Sequence, residues 1–438
     1  MSSLYFFEFI FSVLLITASS TIGQDLEEPP QCPVQKPDKC LNTADIKAAL
    51  NDFTVRAYKQ LATSKSTPAD SNIVFLPLHV STALLLACAA SKGPTHDEII
   101  AALNLGSGIN CEDAYGIIQY LYRTAPHKTD PPTRFDDATF AINRLYVDKS
   151  VTLRPEFVHA VQTNFNQTPG VEDFKNNAAG AINNINNWAK EQSSGNIQNV
   201  ANEQTINKDT TVTLVNSHYL QFLWSQQFDP KNTVAGDFSL LNGAKASVKM
   251  MVNKEKNYMY FNNLDGKAVP NVPAFEMIDL MDKWATGSVL VFVPKDAKDL
   301  ANLEKALTPA LVDQAFSNTK RTLMNLSVPK FTVESVTDVS KIASGLGINK
   351  LFSKDADLSP MTTSKGVTIK GIAHKAMIDV NEQGLKAAAV GIATAGKSAF
   401  NVKPPINVTV DRPFVFVIRI RETEFLSYVG RVTNPVQK

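Results

Sequence analysis

Residues 381–400 read NEQGLKAAAVGIATAGKSAF, and this stretch decides how the rest of the chain is interpreted. It begins with an acidic, glycine-containing segment and continues into a run of alanine and other small residues. An alanine-rich run is typical of a helix, but Gly391 and Gly396 each disfavour a helix by about 1 kcal/mol relative to alanine. The run therefore consists of small, mostly uncharged residues that are not committed to a helix.

The end of this stretch, GIATAGKS at residues 391–398, matches the phosphate-binding P-loop pattern letter for letter. A P-loop needs a hydrophobic strand before it and a helix directly after it, because backbone NH groups and the helix N-terminus face the phosphates. Pro404 and Pro405 follow within seven residues of Ser398 and leave room for at most one turn of helix. A P-loop nucleotide-binding protein is therefore only a remote alternative.

The composition is that of a globular protein, since 44% of the 438 residues are apolar and 19% are charged. Lysine and arginine total 43 against 42 for aspartate and glutamate, so the net charge of +1 gives no overall attraction to nucleic acid or to an anionic membrane. The sequence contains neither a Gly-x-Ser-x-Gly elbow nor a His-Glu-x-x-His helix, which are hydrolase signatures. We therefore expect no enzyme activity, no cofactor, and neither nucleic acid nor membrane as a partner.

The N-terminus carries the features of a signal peptide. An apolar stretch at residues 4–16 is followed by small and polar residues, and a cut after Gly23 fits this pattern. Glu8 interrupts the stretch and leaves too few apolar residues for a membrane anchor. We therefore expect residues 1–23 to be removed and the protein to be secreted. Residues 24–42 are rich in proline and charged residues, which predicts an extended, cysteine-bearing lead segment.

Secretion would make the four cysteines eligible for disulfides. Cys32 and Cys40 flank a short segment, and a local bridge between them would close a small loop. Cys88 would be a buried thiol or the partner of Cys111, and the sequence does not decide between these pairings. The chain has no Cys-x-x-Cys pair and no histidines at ligand spacing, so we expect no metal site. Three acceptor sequons for N-linked glycans are present, at Asn166, Asn325 and Asn407.

Hydrophobic periodicity places helices early in the chain and strands late. Helical spacing recurs at residues 46–61 and 182–189. Runs rich in Val, Ile and Phe, which are typical of strands, occupy residues 288–293, 326–333, 414–420 and 425–432. The last two runs are expected to form a hairpin. Because helices and strands do not alternate and no fixed-period repeat occurs, the pattern predicts an α+β fold with one core that begins near Thr43.

The segment from Glu382 to Ala389 resembles the hinge of the serpins, which has the layout Glu-x-Gly-x-x-Ala-Ala-Ala. Other segments are similar to the family too, in the family's order along the chain. They are residues 72–77, 95–99, 214–216 with Trp224, 331–334, 356–359, 374–376, 412–414 and 425–432. Because the similarity spans residues 43–435, the chain is identified as a member of the serpin family.

This resemblance implies one large α+β domain at residues 43–438, with three β-sheets, about nine helices and an exposed reactive-centre loop at about residues 382–405. In the family, the loop enters the main sheet as an extra strand once a protease has cut it. Alternate side chains of such a strand point inward. The inward set is uncharged and mostly very small, and it consists of Leu385, Ala387, Ala389, Gly391, Ala393 and Ala395.

The resemblance also assigns the residues around the loop. It implies a hinge made of Glu382, Gly384, Leu385, Ala387, Ala388 and Ala389. It places a second set beneath the sheet where the sheet opens or where the loop first inserts, namely Asn72, Asn216, His374 and Trp224. Two positions depart from the family pattern. His79 replaces a serine, which we expect to alter sheet opening, and Leu385 replaces Thr or Ser at the first inserted position, which we expect to slow insertion.

The bond that a protease would cut is set by its distance from the hinge. Serpins usually place it seventeen residues along, counted from Glu382 itself, which leads to Ser398. One residue earlier gives the Lys397–Ser398 bond, which we prefer because a lysine fits the acid-floored pocket of a trypsin-like protease. Cleavage after Ser398 would suit an elastase-like enzyme, and cleavage between Phe400 and Asn401 a chymotrypsin-like one.

Together these features predict an extracellular, monomeric suicide inhibitor of trypsin-like serine proteases. The protease's serine would attack the Lys397 carbonyl, and insertion of the freed loop would trap the acyl-enzyme. The chain looks similar to arthropod haemolymph serpins, which restrain proteases of immune and melanisation cascades. The alternative is a non-inhibitory serpin that acts as a carrier, storage protein or chaperone. Arg123, His127 and Lys128 are weak grounds for a basic helix face, so we expect no glycosaminoglycan partner.

Overall fold

The computed structural model describes residues 43–105, 109–123, 139–220, 222–264, 269–385 and 404–437. Within these ranges the chain forms nine α-helices and sixteen β-strands. The helices are α1 (Thr43–Ala62), α2 (Pro77–Ala89), α3 (Pro94–Ala102), α4 (Cys111–Arg123), α5 (Pro155–Phe165), α6 (Phe174–Gln192), α7 (Leu300–Ala306), α8 (Pro309–Ser317) and α9 (Ser340–Ala343). The predicted signal peptide and lead segment lie outside the described residues.

The strands lie mostly in the second half of the chain, as the sequence pattern predicts. They are β1 (Ile73–Phe75), β2 (Thr139–Asp148), β3 (Gly170–Glu172), β4 (Val212–Leu220), β5 (Phe222–Leu223), β6 (Val234–Ser239), β7 (Lys245–Leu264), β8 (Phe275–Met281), β9 (Gly287–Pro294), β10 (Lys320–Pro329), β11 (Phe331–Asp338), β12 (Ile369–Val380), β13 (Gly384–Leu385), β14 (Ile406–Thr409), β15 (Phe414–Ile420) and β16 (Leu426–Val432).

Several helices begin at residues that favour a helix start. A proline occupies the first turn of α2, α3, α5 and α8, where its fixed φ suits the helix and its missing NH costs no hydrogen bond. The side chain of Asp173 caps α6 and that of Thr308 caps α8, each by accepting a backbone NH. Helix α2 is buried on nearly all sides, since it packs between β4 and β16.

One sheet has seven strands in the order β3-β2-β4-β12-β13-β5, with β11 on the other side of β12. Strands β4 and β12 are parallel, and His374 lies opposite Asn216. Strand β2 is antiparallel to β4, and Asn143 lies opposite the same Asn216. Strand β13 pairs with β12 on one side and with β5 on the other. Strands β4 and β12 are therefore direct neighbours except at the end where β13 begins.

The other sheet has nine strands in the order β1-β16-β15-β9-β8-β7-β10-β14, with β6 also paired to β7. The predicted C-terminal hairpin is confirmed by the antiparallel pairing of β15 with β16. Strand β7 is 20 residues long and pairs with β6 at its start, with β10 along its middle and with β8 at its end. Because β7 pairs with strands on both of its sides, it joins two of the three expected sheets. The described residues therefore form two sheets.

A disulfide joins Cys88 in α2 to Cys111 in α4, which is one of the pairings that the sequence left open. A nitrogen of the His96 ring and the two sulfur atoms lie within 4.8 Å of one another. Because the sulfurs are bonded to each other, only the imidazole is left as a ligand in this arrangement. No helix in the described part of the chain is long and apolar enough to cross a membrane.

Candidate functional site

The segment after β12 folds back on that strand and forms β13. The turn is closed by a backbone hydrogen bond of 2.9 Å from the Asn381 nitrogen to the Gly384 oxygen. Leu385 then lies opposite Val380 of β12 on one side and Phe222 of β5 on the other. Its side chain is only 1% exposed. The first position of the expected inserted strand is therefore already filled, and burial of the leucine stabilises the hinge in the sheet.

Trp224 packs against this hinge and binds its backbone. The indole nitrogen donates to the carbonyl oxygen of Asn381 at 2.9 Å, and the backbone nitrogen donates to that of Gln383 at 2.9 Å. The backbone nitrogen of Phe228 donates to the carbonyl oxygen of Glu382 at 2.8 Å. The structure thus places the buried Trp224 at the end of the sheet where β13 begins.

The carboxylate of Glu382 fixes the hinge to neighbouring side chains. The Thr233 hydroxyl donates to one carboxylate oxygen at 2.9 Å, and the Lys330 ammonium donates to the other at 2.8 Å. Burial by itself would raise the pKa of Glu382, but the hydrogen bond from Lys330 and its companions outweigh burial and hold that pKa below its ordinary value. The hinge carboxylate is therefore ionised at neutral pH and remains bound to Lys330.

Asn216 and His374 form the central contact between β4 and β12. His374 Nδ1 lies 2.7 Å from Asn216 Oδ1, and His374 Nε2 accepts a 3.3 Å hydrogen bond from the Leu76 backbone NH. Because Nε2 accepts, Nδ1 carries the proton of the neutral ring and donates to Asn216. Asn216 Nδ2 donates to the His79 carbonyl oxygen at 3.0 Å. These bonds connect β4, β12 and the start of α2.

Two further histidines lie beside this contact. The rings of His79 and His218 stack with their centroids 4.1 Å apart, and His218 Nδ1 lies 2.6 Å from the Tyr428 hydroxyl. From the sequence, His79 was recognised only as a departure from the family pattern, and His218 was not recognised at all. The available signal was the two-residue spacing of Asn216 and His218, which puts both on one face of β4.

Burial keeps these three histidines neutral. It lowers the pKa of His79 to about 4 and that of His374 to about 3, with a smaller contribution to the latter from His79. The pKa of His218 lies well below its ordinary value because of burial and repulsion from the other two rings. A proton on any of them would place a charge in the interior. The histidine cluster where β4 and β12 would separate is thus uncharged at neutral pH.

The structure does not bring Asn72 into this cluster. Its side-chain oxygen accepts the backbone NH groups of Thr433 at 2.9 Å and Asn434 at 3.0 Å. The reason is that Asn72 directly precedes β1, whose pairing with β16 carries it to the C-terminal segment. Asn72 therefore holds the C-terminal segment beside β1. The contact between β4 and β12 is made by Asn216 and the histidines.

Several predicted residues lie outside the described residues. They are the reactive bond Lys397–Ser398, the hinge alanines Ala387, Ala388 and Ala389, and the lead-segment cysteines Cys32 and Cys40. The three sequons are described. Asn166 follows α5 and is exposed. Asn325 and Asn407 lie opposite each other on β10 and β14, and Asn325 Nδ2 donates to Asn407 Oδ1 at 2.9 Å.

Comparison with known proteins gives matches over most of the chain. The family model described as "Serpin (serine protease inhibitor)" matches residues 48–435. Serpin-Z2A of Triticum aestivum is 27% identical over 401 residues, which cover 90% of this chain and 98% of the relative. Leukocyte elastase inhibitor of Xenopus laevis is 28% identical over 402 residues, covering 89% and 100%. Neuroserpin of Homo sapiens is 26% identical over 387 residues, covering 88% and 91%.

The solved structure of native protease nexin-1 with heparin has a similar fold. Its TM-score is 0.76 at 22% sequence identity, and the match covers 90% of this chain and 100% of that chain. The similarity supports the α+β architecture. The curated relatives are named as serpins or inhibitors, and the family model covers nearly all of the described core. The chain therefore belongs to the serpin family of serine protease inhibitors.

Proposed function

We propose that this protein is a secreted suicide inhibitor of trypsin-like serine proteases. A target protease would form an acyl-enzyme at Lys397, and the freed loop would insert as a strand between β4 and β12 before water hydrolyses the ester. The inhibitor contributes a folded state that is poised to change and no catalytic group of its own. Kinetic stability therefore describes the uncleaved molecule better than equilibrium stability does.

The observation that carries this proposal is the alignment of β13. This strand is in register with β12 on one side and with β5 on the other. When both alignments are continued along the loop, Gly391 falls opposite His374 on one side and opposite Asn216 on the other. These two residues are already opposite each other in the sheet. The two alignments therefore agree, and this agreement supports the proposal that the loop would insert as a regular strand if β4 and β12 separated.

The side chains of β12 suit an inserted strand. The alternate residues of β12 that would lie opposite the inward set of the loop are buried, and they are Ile378, Ala376, His374 and Ile372. The loop residues opposite them would be Ala387, Ala389, Gly391 and Ala393, in the same order. Small uncharged side chains at these places avoid both overpacking and buried charge. This match favours an inhibitor over a carrier, storage protein or chaperone.

Lys397 sets the proposed class of target, because its ammonium complements the acidic floor of a trypsin-like pocket. Secretion is supported by the signal-like residues 1–23 and by the Cys88–Cys111 disulfide, which suits an oxidising compartment. The similarity to haemolymph serpins that the sequence suggests would place the target in an extracellular immune or melanisation cascade.

The proposal is tested by mixing the mature protein separately with trypsin, chymotrypsin and elastase. Each mixture is analysed on denaturing gels, and the C-terminal fragment is identified by mass. We expect a stable covalent complex with trypsin and a fragment that begins at Ser398. The variant Lys397→Ala is the control, and it should lose the trypsin complex. Cleavage by all three proteases without any complex would contradict the proposal and favour the carrier or storage alternative.

A further inference from the structure

The ends of three helices bring two sulfur atoms and one imidazole together, and the proposed function uses none of them. Cys88 lies in the last turn of α2, His96 lies in the first turn of α3, and Cys111 is the first residue of α4. The packing of α2 against both α3 and α4 brings these residues together. A ring nitrogen of His96 and the two sulfur atoms lie within 4.8 Å of one another. We call this group the Cys–His cluster.

The Cys–His cluster has the ligand types that Zn²⁺ prefers, provided that the disulfide is reduced. Zinc binds cysteine thiolates and histidine nitrogens in tetrahedral geometry, and two cysteines with one histidine leave a fourth position for water. With Zn–S distances of about 2.3 Å and Zn–N distances of about 2.0–2.1 Å, the ligand atoms of such a site lie about 3.6–3.8 Å apart. Small side-chain rotations that separate the two sulfurs would therefore bring the three atoms into this geometry.

The backbone positions and the surroundings of the Cys–His cluster also suit a metal ion. The Cα atoms of Cys88 and Cys111 are 6.0 Å apart, which is close enough for both side chains to reach one ion. Because Cys111 begins α4, the helix N-terminus favours a negative charge such as that of a thiolate. Both cysteines are buried, whereas the His96 side chain is 32% exposed. The histidine is therefore the side from which an ion enters.

Asp97 holds the His96 ring in the orientation that a metal ligand needs. His96 Nδ1 lies 3.1 Å from Asp97 Oδ1. A neutral ring that donates from Nδ1 to a carboxylate presents the lone pair of Nε2 to a metal, and the carboxylate raises the basicity of that nitrogen. The sequence predicts no metal site, because the three ligands are far apart along the chain and form no short motif.

We propose that the dithiol form of this protein binds one Zn²⁺ through Cys88, His96 and Cys111, with water as the fourth ligand. This form exists before the disulfide is made, and small-molecule thiols regenerate it. Two such thiols give two electrons and two protons to the bonded sulfurs and leave as one disulfide. Each cysteine loses its proton when zinc binds, so two protons are released for each ion. The ion then holds α2 to α4 in place of the covalent bond.

Zinc binding is tested on the full-length mature protein with Cys32→Ser and Cys40→Ser, so that Cys88 and Cys111 are its only cysteines. This parent protein is reduced with dithiothreitol, freed of the reductant without oxygen, and titrated with Zn²⁺ against a coloured chelator. Co²⁺ replaces Zn²⁺ in a parallel titration as a spectroscopic probe. We expect one ion for each chain, release of two protons, and a thiolate-to-cobalt charge-transfer band. The disulfide form of the parent should show no such band and no proton release.

Variants of the parent protein test the histidine ligand. His96→Gln should weaken zinc binding about tenfold or more, and His96→Cys should retain it because the new thiolate can replace the imidazole. Asp97→Asn should weaken binding less than His96→Gln does, because Asp97 only positions the ring. The matched control is His159→Gln, which changes an exposed histidine on α5 and should leave the zinc affinity as in the parent.

Thermal unfolding shows whether each reduced protein is folded, and zinc should raise the midpoint of the reduced parent but not that of its disulfide form. Three results would overturn the proposal: no charge-transfer band in the folded, reduced parent, equal zinc affinity of the disulfide form, or unchanged affinity of His96→Gln. A reduced parent that is unfolded and that zinc does not refold would overturn it as well. None of these results depends on whether the protein inhibits a protease.

Discussion

His374 and Asn216 share a 2.7 Å hydrogen bond across the two parallel strands that an inserted loop would separate. Both side chains are buried, so a broken bond is not simply replaced by a bond to bulk water. The bond favours the closed sheet in the uncleaved molecule. Gly391, the residue that would come to lie between them, has no side chain to obstruct either partner.

Asn216→Ala should destabilise the uncleaved protein by about 1–3 kcal/mol, because the His374 NH loses its buried acceptor. The loop-inserted, cleaved form should be affected less, since its β4 and β12 are already apart. Thermal midpoints of both forms measure the difference. The control is Thr332→Ala, whose hydroxyl bonds Asp379 between β11 and β12, two strands that stay paired. An equal loss in the cleaved and uncleaved forms of Asn216→Ala would contradict this role.

The buried histidines should make the protein less stable in acid. In the unfolded chain a histidine takes up its proton near pH 6.5, whereas folded His79 has a pKa of about 4 and folded His374 a pKa of about 3. Between these values the unfolded state binds more protons, so the free energy of unfolding falls as the pH drops below 6.5. By pH 5 the loss is about 2 kcal/mol for each of these two residues.

Urea unfolding at pH 7.5 and at pH 5.0 measures this loss. The variant His79→Ser removes one of the buried rings and should show a smaller decrease than the wild type. The control is His159→Gln, because His159 is exposed on α5 and should leave the decrease unchanged. The explanation fails if His79→Ser loses as much stability between the two pH values as the wild type does.

Leu385→Arg should expel the hinge from the sheet. Burial of a leucine side chain contributes about 1.5–3 kcal/mol, and an arginine in its place would bring a charge into the interior. Because Trp224 packs on the hinge, its fluorescence should shift to the red, measured in a Trp188→Phe, Trp284→Phe background. The number of inhibitor molecules that trypsin cleaves for each covalent complex formed should also increase. Lys386→Arg, on the outward side of the loop by alternation, is the control, and an identical change in both variants would argue against the prediction.

Gly391→Arg should convert the inhibitor into a substrate. The arginine would fall between His374 and Asn216, where neither space nor a countercharge is available for it. Val390→Arg puts the same residue on the outward face and should remain inhibitory. Denaturing gels give the ratio of covalent complex to cleaved protein for the two variants. Similar ratios for both would show that the alignment does not govern insertion.

The sequence was informative wherever a pattern has a short period. Period-two alternation predicted that Leu385 is compatible with a buried strand position, and the structure places it in one. The apolar runs of the C-terminal hairpin likewise led to the observed β15 and β16. These predictions depend only on which residues alternate along one segment, which is information that the linear sequence contains.

The contacts that the sequence did not predict depend on pairings between distant segments. His79 and His218 meet because α2 packs on β4, and no spacing in the chain announces that contact. Asn72 was expected near His374, but the pairing of β1 with β16 decides its neighbours. The sequence also did not predict that β7 joins two sheets. The residues of a long strand do not indicate how many other strands it pairs with.

Strands β14, β15 and β16 all follow the loop in the chain, and β15 lies between β9 and β16 within the nine-stranded sheet. Cleavage of the loop would therefore break the polypeptide, but the two fragments would stay associated. The shorter chain would remain in this sheet with β15 and β16 as interior strands, held by backbone hydrogen bonds and by buried side chains such as Phe414 and Phe416. The spent inhibitor would be a non-covalent heterodimer of its own fragments, and only a denaturant would separate them.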